Sequence, residues 1–181
     1  MKEETRISLL IEGYPRYGYQ TYSRIVGSAS NSLCISRLHP EYVAHKFGLE
    51  RSKHYWLSGQ KGQDVISPRS MHHLVKALRI DLRGRGGGVA FMDGLEYLLL
   101  FNDTARVMEG LEEIDALLRQ ANVDLIISVD PLTLEQNDLD RLYEAFPRHS
   151  VRSILEKYSI LGSQQISEAV PGSEAQGIAG L

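Results

Sequence analysis

Asp93 closes the apolar run Val89-Ala90-Phe91-Met92, and Glu96 follows three residues later, across Gly94. An acid at the end of a buried strand is how phosphate-loop hydrolases hold magnesium, so this pair could coordinate a metal ion or polarise a water. The same positions have a structural use. Asp93 can cap a helix that begins near Gly94, and Glu96 can stabilise the first turn of that helix. The choice depends on whether anything nearby would bring phosphate to the acid. Gly13-Tyr14-Pro15-Arg16-Tyr17-Gly18 has the GxxxxG spacing of a phosphate loop, but Tyr19 stands where Lys is required and Gln20 where Ser or Thr is required. Pro15 removes an N–H donor, Tyr14 and Tyr17 are bulky, and Thr21 comes one place too late. Arg16 could supply part of the missing charge. Ordinary ATP hydrolysis is not expected.

Other chemistry is harder to assemble. The segment Arg83-Gly84-Arg85-Gly86-Gly87-Gly88, with Arg79 before it, has the composition of a nucleotide- or RNA-binding loop. It precedes the strand of Asp93, however, and so belongs to the amino edge of a parallel sheet, where a mobile connection is the simpler expectation. His72 and His73 are adjacent rather than four apart on a helix, and the other histidines show no ligand spacing, so no metal site is expected. Ser58 and Asp130 come without a placed histidine base, so no catalytic triad is identified. A net charge of −3 gives no drive toward nucleic acid or anionic lipid, so Tyr14, Tyr17, Tyr19 and Tyr22 read as packing or a protein interface rather than a base-stacking platform. Cys34, the only cysteine, rules out an intramolecular disulfide and suggests a reducing compartment.

The elements that must position these residues alternate. Five apolar runs read as strands: Ile7 to Ile11, Leu33 to Ser36, His54 to Leu57, Val89 to Met92 and Leu125 to Val129. Between the third and fourth, Ser67 and Pro68 predict a helix start, with Met71, Leu74, Val75, Leu78 and Leu82 on one face. Val107, Leu111, Ile114 and Leu118 predict a helix before the fifth strand. After it, Thr133 and Gln136 predict a capping box, with Leu139, Leu142, Tyr143 and Phe146 as the apolar face. Further helices are expected over Tyr17 to Val26 and Pro40 to Phe47. The pattern implies an α/β fold, a mostly parallel five-stranded sheet between two helical layers. Residues 1–161 form its one domain. Gly162 to Leu181, without Lys or Arg and with few large apolar residues, is expected to be a flexible tail whose removal leaves the melting temperature nearly unchanged. No run is long enough for a membrane span or signal peptide, so a soluble, cytoplasmic chain is expected.

In such a sheet ligands bind outside the carboxyl ends of the strands. Those ends deliver Glu12-Gly13, Ser36-Arg37, Ser58, Asp93-Gly94 and Asp130-Pro131 to one edge. The candidate ligand or partner edge is therefore Gly13, Arg16, Tyr17, Gly18, Arg37, Ser58, Asp93, Glu96 and Asp130. No catalytic residue and no cofactor are assigned.

Read together, LCISRLHPEYV, HYWLSG, FMDGLEYLLLFND and LIISVDPLTLEQNDLDRLYEAF resemble the mainly archaeal domain-of-unknown-function family 835. The matches run in order from about Ile7 to Phe146, and DGLEYL followed by Asn102 is the most specific. The resemblance implies a degenerate RecA-like fold, distantly KaiC-like, in which Leu10 to Tyr22 occupies the place of the phosphate loop and Met92-Asp93-Gly94 that of the magnesium-binding segment. It also implies an output or regulatory module, here without an attached sensory or membrane segment. The expected function is a noncatalytic regulatory or interaction domain that binds a protein partner and is compatible with homo-oligomerisation. The competing reading is an unconventional nucleotide-binding protein or weak hydrolase using Asp93 and Glu96. A more distant one is a nucleic-acid accessory protein using Arg79, Arg83 and Arg85.

Overall fold

Apolar residues at period two along each central strand bury both sheet faces, which requires a helical layer on each side. The computed structural model, which describes residues 3–14, 16–27 and 31–159, has this three-layer arrangement. Its strands are β1 (Ile7–Ile11), β2 (Leu33–Ser36), β3 (Lys53–Leu57), β4 (Val65–Ile66), β5 (Gly88–Asp93), β6 (Val123–Val129) and β7 (Arg148–His149). Its helices are α1 (Gly18–Val26), α2 (Pro40–Phe47), α3 (Met71–Leu82), α4 (Leu95–Phe101), α5 (Thr104–Ala121), α6 (Gln136–Ala145) and α7 (Val151–Lys157). The sheet order is β4-β3-β2-β5-β6-β1-β7, every pairing parallel. Among the described residues the sheet has seven strands, not five. The expected tail at 162–181 lies outside the described residues.

Alternation sorts the side chains between two cores. Ile7, Leu9, Leu33, Ile35, Ala90, Met92, Leu125 and Ile127 pack with the buried faces of α3, α5 and α6. Leu10, Cys34, Phe91 and Ile126 turn the other way, to Tyr19 and Tyr22 of α1, Val43 of α2 and Ile154 of α7. The predicted face of α3 is buried in full, but its start is not at Ser67-Pro68. Ser70 is the N-cap, accepting from the His73 N–H, while the Ser67 hydroxyl accepts from Arg69 N. The predicted Thr133–Gln136 capping box is also absent. Thr133 closes a 3-10 turn and donates to the Asp130 carbonyl, and α6 begins after Glu135 with no side-chain cap.

Tyr22 fastens the second core to the sheet. Its hydroxyl lies 2.6 Å from the Val89 carbonyl and 2.9 Å from the Leu33 carbonyl, and it accepts from Leu33 N at 3.0 Å. The side chain is fully buried, so no water can replace these bonds. Tyr22→Phe is expected to cost about 1–3 kcal/mol, the penalty for orphaned buried backbone groups. A urea midpoint that falls with unchanged slope is the expected result; an unaltered midpoint would show that β2 and β5 close without the hydroxyl.

Candidate functional site

The carboxyl ends of β1, β2, β5 and β6 are neighbours in the sheet, so the polar residues that end them must share one edge. Ile11 is paired with Val129, Ile35 with Met92 and Asp93 with Ser128. Asp93 is buried at the end of β5. It caps no helix: α4 starts after Gly94 without a side-chain cap. Asp93 instead accepts from Arg16 Nη1 at 2.9 Å and from the Tyr19 hydroxyl at 2.7 Å. Gly94 allows the chain to turn there. Its φ is +126°, and a Cβ would stand 3.0 Å from Leu57 Cδ1 and 3.5 Å from Arg37 Cβ.

Arg16 is the centre of the site. Besides Asp93, its guanidinium lies 3.9 Å from Glu96 Oε1 and 3.9 Å from Asp130 Oδ2. Arg37, more exposed, reaches the same acids, with Nη1 3.2 Å from Glu96 Oε1 and Nε 3.8 Å from Asp93 Oδ2. The Glu96 contacts are close but not aligned, since Oε1 is buried without a well-formed hydrogen bond. Asp130 is held in place by the Leu132 N–H on Oδ1. Three acids and two cations therefore share one edge, the guanidiniums offsetting two of the three carboxylate charges, with Arg37 the most exposed of the five.

The first loop is closed by an acid of its own. Glu12 Oε1 accepts the backbone N–H groups of Tyr17 at 2.6 Å and Gly18 at 3.0 Å, and Oε2 accepts from the Ser128 hydroxyl at 3.1 Å. These amides at the start of α1 are those a phosphate loop would turn toward an anion. Here a carboxylate of the chain occupies them. Gly18 makes room for it, because a Cβ would lie 2.5 Å from Glu12 Oε2 and 3.0 Å from the Phe91 ring. Gly13, by contrast, is exposed, with nothing within 4 Å of a Cβ. Only the second glycine of the GxxxxG pair is required by packing.

Tyr19, at the lysine position, is a neutral donor. Burial, and after it the Asp93 charge, pushes its phenol far above the ordinary value, so its proton stays on and goes to Asp93. The Ser36 hydroxyl, 2.6 Å away, therefore donates to the Tyr19 oxygen and itself accepts from Leu38 N. The Tyr19 ring stacks on Phe47 at 4.8 Å and meets Phe91 edge-on. This chain of bonds is packed into the second core.

The edge thus gathers Arg16, Tyr17, Gly18, Arg37, Asp93, Glu96 and Asp130. Ser58 is set apart, just past the end of β3, where its hydroxyl accepts from Gln60 N. Glu12, Tyr19 and Ser36 are working parts of the site that the candidate set lacked. The sequence did carry a signal for Glu12 and Ser36, as polar residues closing apolar strands. The glycine-rich connection lies at the opposite edge, as expected, but it is not loose: Gly87 N donates to the Ala121 carbonyl, and Arg85 bonds Asp81 and the Asn31 carbonyl.

Burial raises the Glu12 carboxyl above its ordinary range, a shift that the Tyr17 and Gly18 amides and the Ser128 hydroxyl only partly offset. A carboxyl raised on folding contributes stability that is complete below its unfolded value and lost as pH rises through the folded one. Glu12→Gln removes this titration while keeping an acceptor for the amides. Urea melts from about pH 4 to about pH 8 should show the variant gaining on the wild type across that window, then a constant difference. Parallel curves throughout would show that Glu12 does not titrate differently in the folded chain.

Among the described residues no helix is long and apolar enough to cross a membrane. No curated protein matches the chain. The model of a family described as a protein of unknown function, DUF835, matches residues 14–146, which run from the first loop through α6 and contain every edge residue named above except Glu12 and Gly13. With most of its length matched in this way, the chain belongs to the DUF835 family.

Proposed function

We propose that the chain is a noncatalytic regulatory or interaction domain, a degenerate relative of RecA-like nucleotide hydrolases that binds a protein partner, of the kind the resemblance associates with archaeal signalling. One observation carries this reading: both halves of a magnesium–phosphate site are filled from within. The Glu12 carboxylate holds the loop amides that would meet phosphate, and the Arg16 guanidinium stands among Asp93, Glu96 and Asp130, where a metal ion would stand. Displacing either group would strand buried charge, a cost of several kcal/mol before any ligand contact is made. The loop-bearing β1 and the acid-ended β5 open on one edge with β6 between them, which supports the RecA-like kinship.

Calorimetric titration with ATP and magnesium tests the reading, and no micromolar binding is expected. Saturable binding, with turnover lost in Asp93→Asn, would instead establish an unconventional hydrolase built on Asp93 and Glu96.

A further inference from the structure

Far from the carboxyl edge, the C-terminal halves of α3 and α5 flank a groove of about 720 Å³. Leu82, Ala116, Leu117 and Ala121 supply its apolar wall, and Arg79 and Arg83 stand on the α3 rim. The exposed residues of α3 and its C-cap are His72, His73, Lys76, Arg79, Ile80 and Arg83, with no acid among them. Ile80 is 63% exposed. In a chain of net charge −3, this concentrates cation on one helix face around an uncovered aliphatic side chain.

The neighbouring acids leave that charge available. Glu113 faces Arg79 at 3.5 Å, an exposed pair worth little, and α5 offers no further carboxylate to the groove beyond it. Asp81 is committed to Arg85 and to the Tyr55 hydroxyl. Arg83 pairs with no carboxylate among the described residues. From Glu113 to Ala121 the groove runs along α5 for about 12 Å, two turns of a helix.

We propose that this groove is a docking site for an acidic amphipathic helix of a protein partner. Its apolar stripe would cover Leu117 and Ala116, and its flanking carboxylates would meet Arg79 and Arg83. The arginines could meet phosphates as well as carboxylates, but Ala116 and Leu117 between them offer a phosphodiester backbone no contact and Glu113 repels it, which favours an amphipathic protein segment over nucleic acid. The proposal is independent of the carboxyl edge and of whether nucleotide binds there.

The probe is a labelled 14-residue peptide with Leu at helical i, i+3, i+4 spacing and Glu elsewhere, followed by fluorescence anisotropy against the full chain. Saturable, salt-sensitive binding is expected, weakened about tenfold or more by Arg79→Glu with Arg83→Glu. These exposed positions should leave the melting temperature near that of the wild type. A peptide with Ser in place of Leu should bind at least about tenfold more weakly, and one with Lys in place of Glu should bind the double variant better than the wild type. No binding, equal binding by the double variant, or equal binding of the Ser peptide would overturn the proposal. So would a preference for a single-stranded oligonucleotide or anionic vesicles over the Leu–Glu peptide.

Discussion

Asp93→Ala is expected to lower the stability of the domain by about 3–5 kcal/mol, the range for breaking a buried charge pair from one side. The side chain of Asp93 is only 4% exposed, and of the groups that donate to it Tyr19 is buried and Arg16 is 19% exposed. Arg16 loses its hydrogen bond to the site, and the Tyr19 hydroxyl loses the acceptor of its proton. Asp93→Asn keeps an oxygen for Tyr19 but gives up the charge that holds Arg16, so it should cost less, about 2 kcal/mol. Urea melts of both variants, with and without magnesium, test this. The expected order is wild type, Asn, Ala, with no magnesium dependence in the wild type. A magnesium-dependent rise in the wild type that disappears in Asp93→Asn would make the acid a metal ligand and overturn its role as an internal ion-pair partner.

The central strands were legible because burial on both faces demands long runs of Ile, Val and Leu. β1 and β2 fall on the expected residues, and β3, β5 and β6 extend theirs by one or two. β4 and β7 were not legible, for a physical reason. Two residues have no period, and these edge strands are held by backbone bonds such as Trp56 N to Asp64 O and Leu9 N to Pro147 O. Helix starts failed where hydroxyls compete. Ser67 and Ser70 are both able to cap α3, and the turn that Ser67 makes with Arg69 hands the cap to Ser70.

The site was legible in membership more than in wiring. Strand topology alone brings Arg37, Asp93 and Asp130 to one edge. It does not say which charge faces which. Arg16 reads in the sequence as a partial stand-in for the missing lysine, aimed at phosphate; in the fold it is aimed at acids. Glu12 reads as one more polar strand end, and only the path of the loop reveals that it folds back five and six residues onto Tyr17 and Gly18. Both facts depend on a loop conformation for which spacing carries no signal. The GxxxxG pattern itself misled in one detail, since Gly13 faces open space and Gly18 alone is sterically required.

Replacing Arg16 should turn the internal ion-pair cluster into a cation site. Arg16→Ala removes the one cation among the described residues that lies within 4 Å of all three of Asp93, Glu96 and Asp130, whose side chains are 4%, 14% and 12% exposed. Arg37 still reaches Asp93 and Glu96, but it is 41% exposed, forms no ion pair with Asp130 and cannot balance three carboxylates. The expected loss at neutral pH is about 2–4 kcal/mol, somewhat below that for Asp93→Ala because the arginine side chain is itself 19% exposed. A hard divalent ion bound by carboxylates can restore the balance. Magnesium at ten times its dissociation constant should return about 1.4 kcal/mol to the variant and nothing to the wild type, and chelator should reverse the gain. ATP should still fail to bind tightly, because Glu12 continues to hold the Tyr17 and Gly18 amides in the variant. The decisive comparison is the melting temperature of Arg16→Ala and wild type across a magnesium titration. A variant as stable as the wild type and indifferent to magnesium would mean that the guanidinium decorates the edge without neutralising it, and the internal filling of the site would lose its main support.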